Sequence, residues 1–113
     1  MNSLESSNLT LIQRQALKAL RVRLFNEFDV EKIILYGSAA RGEATDESDI
    51  DLLIVTTTQK NRWQQHLITD AVFEVNLQFD TTFSSLVVDH REWENGCSFL
   101  LLQDEIEKDG VEV

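Results

Sequence analysis

The sequence of 113 residues contains no proline and only one cysteine, Cys97. Without proline, internal repeats or low-complexity stretches, nothing marks an interdomain linker, so residues 1–113 are expected to form one domain. A lone cysteine excludes an intrachain disulfide and a cysteine-based zinc site, which suits a reducing cytoplasm. Basic residues are scarce as well: ten Lys and Arg stand against twenty Asp and Glu, for a formal charge of −10. A field of that sign repels phosphate backbones and anionic membrane surfaces, so nonspecific nucleic-acid binding is not expected. It would oppose any phosphate-bearing ligand too, unless divalent cations screen the carboxylates and turn an anionic pocket into a phosphate site. No apolar run is long enough to span a bilayer, and Met1–Asn8 is polar with no basic, then apolar, leader pattern. A soluble, unexported protein is expected.

An apolar fraction of 42% suffices for one compact core. It leaves hardly any surface for a dedicated acceptor-recognition unit, which points to a partner chain. Leu9, Ile12, Ala16, Leu17, Leu20, Leu24 and Phe28 recur at three- and four-residue spacing and predict an amphipathic helix capped by Asn8. Ile33–Tyr36 is a short apolar run ended by Gly37, the pattern of a strand buried on both faces. After the polar stretch Ser38–Ser48, Ile50–Val55 reads as a second strand. Residues 61–79 satisfy both a helical stripe (Leu67, Ile68, Ala71, Val72, Val75) and a strand alternation (Phe73, Val75, Leu77, Phe79), and helix is preferred. Thr81–Val88 predicts a third strand, Asp89–Glu94 a short helix stopped by Asn95-Gly96, and Phe99–Lys108 a further helix.

The stretch that carries chemistry is Gly37-Ser38, ten intervening residues, then Asp49-Ile50-Asp51, lying between two predicted strands. A glycine ending a buried strand lets the backbone turn tightly and approach a ligand, and a following helix start would aim free N–H groups at a phosphate. Ser38 adds a hydroxyl. Asp49 and Asp51, two apart on a strand, project from one face, where their oxygens can converge on shared cations. Two carboxylates buried there without a counter-ion would repel each other, a cost that Mg²⁺ removes.

Gly37-Ser38, the run Ala39-Ala40-Arg41-Gly42-Glu43-Ala44, and Ser48-Asp49-Ile50-Asp51-Leu52-Leu53-Ile54 resemble the signature of the polymerase β-type nucleotidyltransferase superfamily, and its minimal bacterial branch best. The likeness extends with less specificity to Arg91-Glu92-Trp93-Glu94 and to Glu107-Lys108-Asp109-Gly110-Val111-Glu112. The resemblance implies an α/β (α+β) fold: a small mixed sheet with helices on one face and a nucleotide site at the open edge of the other, where the first two strands end. It implies that Gly37 and Ser38 contact the phosphates of ATP and that Asp49 and Asp51 hold Mg²⁺, two ions in all. Arg41 would pair with a phosphate, although a surface salt bridge with Glu43 or Asp46 explains it equally well. The implied reaction transfers a nucleoside monophosphate, AMP from ATP, to an acceptor hydroxyl, and in such a family the acceptor can be a tyrosine of a HEPN-type toxin. A HEPN-type partner or a homodimer would complete the site, and a binding module with a weakened or inactive site is the alternative.

Superfamily members usually add a third carboxylate from the neighbouring strand. Here the centre of that strand, Thr82-Phe83-Ser84-Ser85-Leu86, holds no acid, which leaves Asp80 and Asp89 at its ends as candidates. His66 and His90 lack zinc-like spacing and are expected to face solvent, while Trp63, Trp93 and Tyr36 are assigned to packing. The acidic cluster Asp104, Glu105, Glu107, Asp109 and Glu112 fits a solvated face or a surface for a basic partner.

Overall fold

The computed structural model describes residues 9–37, 40, 49–95, 106, 108 and 110–113. Its first element is helix α1 (Leu11–Glu27). The cap is Thr10 rather than Asn8: the Thr10 hydroxyl accepts from the Gln13 N–H at 3.1 Å, and the Gln13 side chain accepts from the Thr10 N–H at 2.8 Å. That reciprocal pair satisfies two donors the helix start would otherwise leave bare. Ala16, Leu17, Leu20 and Leu24 form the buried stripe. Phe28 leaves the helix in an extended conformation, and strand β1 (Val30–Tyr36) begins two residues later.

Strands β1 and β2 (Ile50–Thr56) pair antiparallel, with Leu35 opposite Leu52 and Tyr36 opposite Asp51. Helix α2 (Arg62–Phe79) then crosses over to strand β3 (Phe83–Asp89), which runs parallel to β2. The helical reading of residues 61–79 therefore holds, because Ile68, Ala71, Val72 and Val75 bury one stripe while Phe73 and Leu77 stay exposed. Asn61 and Gln64 form a second reciprocal cap. Helix α3 (His90–Glu94) follows β3 directly, with Asp89 as its cap. Strand β4 (Val111–Glu112), absent from the sequence reading, pairs antiparallel with β1 and gives the sheet order β3-β2-β1-β4. Of the predicted helix 99–108, only Ile106 and Lys108 lie within the described residues, and both are helical.

The expected architecture, a mixed sheet with its long helices on one face, is present. Ile33, Leu35, Leu52 and Ile54 point into that layer, against α1 and α2. Side chains of opposite parity, Ile34, Leu53, Val55 and Val88, point the other way and are partly covered by Trp93 and Ile106. Both faces of β1 and β2 are thus apolar through their middles, which is why these strands read as continuous hydrophobic runs. Each fully buried Leu or Ile contributes roughly 2 kcal/mol. No described helix is long and apolar enough to cross a membrane.

Candidate active site

The site forms where β1 ends and β2 begins, since the two strands are antiparallel. Gly37 follows Tyr36 with φ +76°, a left-handed conformation that disfavours any side chain. A Cβ added at Gly37 would lie 2.6 Å from Asp51 Oδ2, so the backbone passes directly over this carboxylate. Glycine is required there on two independent counts. Asp49 precedes β2 and is exposed, whereas Asp51 lies on it and is partly buried. Asp51 shares the face of β2 that carries Leu53 and Val55, and Asp49 is near enough for its charge to act on Asp51.

Burial raises the pKa of Asp51 above the ordinary carboxylate range, and the negative charge of Asp49 raises it further. Burial likewise raises the pKa of the Tyr36 phenol, and Asp51 adds to that shift. Among the described residues, no Lys, Arg or His forms an ion pair with either aspartate. The result is a half-buried negative site of hard oxygen donors, the donor chemistry that suits Mg²⁺. Two protein carboxylates are enough for that ion when phosphate and water complete its shell. Among the described residues, no group of three His, Cys, Asp or Glu could hold a metal.

Neither candidate third carboxylate stands beside this pair. Asp80 closes α2 in a left-handed conformation, φ 56° and ψ 49°, and lines a hollow with Thr10, Ile12 and Gln13. Asp89 is level with Thr56, at the opposite end of β2, and its Oδ1 accepts the Glu92 N–H at 2.7 Å. Level with Asp51 on β3 is Ser84. Ser38 and Arg41 lie outside the described residues. Ala40, between them, is buried in the helix-side core.

Tyr36, which the sequence assigned to packing, stands directly opposite Asp51. Only the cross-strand register brings it there, and no local sequence pattern specifies that register. Trp63 is 67% exposed and does not belong to the core, whereas Trp93 is buried. His66 and His90 face solvent, near Asp70 and Glu31 respectively.

Residues 18–111 match the family described as polymerase beta, nucleotidyltransferase. Two proteins of Methanocaldococcus jannaschii, both provisionally named protein adenylyltransferases, are similar in sequence. One is 36% identical over 57% of this chain and 45% of its own length. The other is 31% identical over 74% of this chain and 79% of its own length. The match thus spans less than half of the first relative. Among solved structures, the chain is similar to one from the complex of a tri-AMPylated Shewanella oneidensis HEPN toxin with an MNT antitoxin. That match has a TM-score of 0.53 and 18% identity, and covers 90% of this chain and 71% of the other, a likeness of fold.

Proposed function

The chain belongs to the polymerase beta nucleotidyltransferase family, and from that premise we propose that it transfers AMP from ATP to an acceptor hydroxyl in a divalent-metal-dependent reaction. The observation that carries this reading is the stacking of the Gly37 turn on the Asp51 carboxylate, with Asp49 near enough for its charge to act on Asp51. A side-chain-free turn lets phosphate oxygens approach the backbone, and the aspartates beneath offer oxygens for the cations that accompany them. In this reading Gly37 and Ser38 hold the terminal phosphates of ATP, Arg41 neutralises the departing pyrophosphate, and Asp49 and Asp51 are the Mg²⁺ ligands. Two bound ions, about 3.5–4 Å apart, would supply activation of the attacking hydroxyl and neutralisation of the leaving group. The acceptor oxygen bonds to the α-phosphorus, the bond from that phosphorus to the pyrophosphate bridging oxygen breaks, and the acceptor proton is lost to solvent or a base.

The acceptor proposed is a tyrosine hydroxyl on a HEPN-type toxin, with this chain as its antitoxin in the cytoplasm. The archaeal relatives' names support protein as acceptor, and the structural likeness to the MNT–HEPN complex supports the partner class. A charge of −10 suits a partner with a basic surface. A second reading, a binding module that transfers slowly, is favoured by one observation: among the described residues no third acid joins Asp49 and Asp51.

Incubating the chain and its co-purifying partner with Mg²⁺ and ATP labelled in the α-phosphate separates the two. Transfer predicts label on the partner with wild type and none with the Asp49→Asn, Asp51→Asn double variant. A partner that stays unlabelled yet binds both forms equally would mean that the chain acts as a binding module.

A further inference from the structure

We infer that two copies of this chain pair through the open edge of β3, antiparallel about a two-fold axis at Leu86, so that their sheets become one. The inference is independent of the chemistry at Asp49 and Asp51.

The sheet order β3-β2-β1-β4 gives β3 a single neighbour, so one side of this seven-residue strand is open among the described residues. The N–H and C=O of one residue point to the same side of a strand, and the side alternates along it. The Thr82 carbonyl accepts the Ile50 N–H at 3.0 Å, and the Val88 carbonyl accepts the Thr56 hydroxyl at 3.4 Å. Even-numbered residues of this stretch therefore turn toward β2, and Phe83, Ser85, Val87 and Asp89 turn to the open edge. Side chains already occupy the two ends. Asn76 of α2 accepts the Phe83 N–H at 2.9 Å and donates to the Phe83 carbonyl at 3.0 Å, so its amide stands where a strand would. At the other end the Glu92 carboxylate accepts the Asp89 N–H at 3.4 Å. Between these caps, the N–H and C=O groups of Ser85 and Val87 have no partner among the described residues, and both residues are half-buried.

That window is complementary to itself. With the axis at Leu86, Ser85 of one copy faces Val87 of the other and exchanges both hydrogen bonds with it, and symmetry repeats the pair. All four open groups of each copy are then used, and the pairing stops where Asn76 and Glu92 stand. An axis at Ser85 would instead set Val87 against the capped Phe83, and one at Val87 would set Ser85 against Asp89. The charge pattern agrees. Each copy carries a formal −10, so two copies meet at least cost where charges are absent. From Phe83 to Val88 the strand has no charged residue, no proline and no bulge, the devices that ordinarily protect an open edge. The hollow beside it, between α2 and the start of β3, is lined by uncharged side chains, among them Phe73. Phe73 is 60% exposed, and in this register it lies on the side of the sheet where Val87 of the second copy arrives.

The test is sedimentation equilibrium of the full chain, joined to cysteine crosslinking. Wild type is expected to dimerise with a Kd of about 1–100 µM, the range of a small interface. Ser85→Pro deletes an outward N–H and leaves the bonds to β2 in place, so it should weaken dimerisation about tenfold or more. Leu86→Lys sets like charges opposite each other at the axis and should weaken it similarly. In a Cys97→Ser background, Leu86→Cys should form a disulfide between copies on oxidation, because directly opposed residues lie roughly 4.5 Å apart at Cα. Ser84→Cys, opposite Val88 and far from its own counterpart, should not. Wild type that stays monomeric at about 1 mM overturns the inference. So does a dimer that Leu86→Cys fails to crosslink, since the copies then meet elsewhere, and so does a Ser85→Pro protein, folded by circular dichroism, that dimerises like wild type.

Discussion

Replacing Gly37 with alanine imposes two different costs that can be measured apart. The first is on the backbone, since φ is +76° and an L side chain in that region costs roughly 1–2 kcal/mol. For a domain of this size that corresponds to a fall in Tm of about 4–8 °C. The second is on the site. The new Cβ would stand 2.6 Å from Asp51 Oδ2, well inside the 3.4 Å at which ordinary contact begins, so the carboxylate must move by about 0.8 Å. The obstacle is the tip of a side chain, so the fold tolerates the shift while the ligand geometry does not. A displacement near 1 Å can cost up to about 100-fold in a positioned reaction, so transfer should fall roughly 10- to 100-fold. Gly110→Ala is the contrast. There a Cβ would meet the Ile106 carbonyl and, at 2.8 Å, the Ile34 Cγ2, obstacles in backbone and core. Gly110→Ala should lose more stability than Gly37→Ala, yet retain cation and nucleotide binding when assayed below its own Tm. Thermal unfolding and Mn²⁺–nucleotide titration of both variants decide the matter. A Gly37→Ala protein that binds and transfers like wild type would refute the close approach of the turn to Asp51.

Other outcomes follow from the same geometry. Asp51→Asn should raise the Tm of the metal-free protein by about 2 °C, the scale of roughly 0.5 kcal/mol, and abolish stabilisation by Mg²⁺ in the same thermal assay. The folded-state pKa of Asp51 lies above its unfolded value, so its ionised form disfavours folding at neutral pH and that penalty fades as pH falls through the folded pKa. Protons compete with the cation over that same range, so the Mg²⁺-dependent rise in Tm should shrink from pH 7.5 to pH 5, and should be missing from Asp51→Asn at both values. Asp89→Ala removes the cap of α3 and should cost about 1 kcal/mol in urea unfolding without changing label transfer. Leu20→Ala empties a fully buried position and should cost about 2–5 kcal/mol by the same method.

The helices and central strands were legible because their apolar spacing matches what they bury. Leu17, Leu20 and Leu24 line one side of α1, and Ile33 to Leu35 fill both faces of β1. The start of α1 was legible too, though misplaced at Asn8: Thr10 and Gln13 carry the pattern of a capping box. Strand β4 was not, because two residues carry no periodicity and its existence depends on pairing with Ile34 and Leu35. At the site, the closeness of Asp49 to Asp51 was legible from their spacing of two residues. Tyr36 and Ser84 were not, since each joins Asp51 only through a cross-strand register, one antiparallel and one parallel, that no local pattern specifies. Asp80 and Asp89 looked like substitutes because they bound β3 in sequence. In space, one closes a helix and the other caps one at the far end of the sheet.

Nucleotide and metal binding at Gly37, Asp49 and Asp51 is tested most directly by a crystal structure of the chain with Mg²⁺ and a non-hydrolysable ATP analogue. The phosphates are expected against the Gly37 turn, with the metal bound between the carboxylates of Asp49 and Asp51. A nucleotide seated instead in another hollow, such as the one beside the Lys60–Asp29 ion pair, with both aspartates free of metal, would contradict this placement.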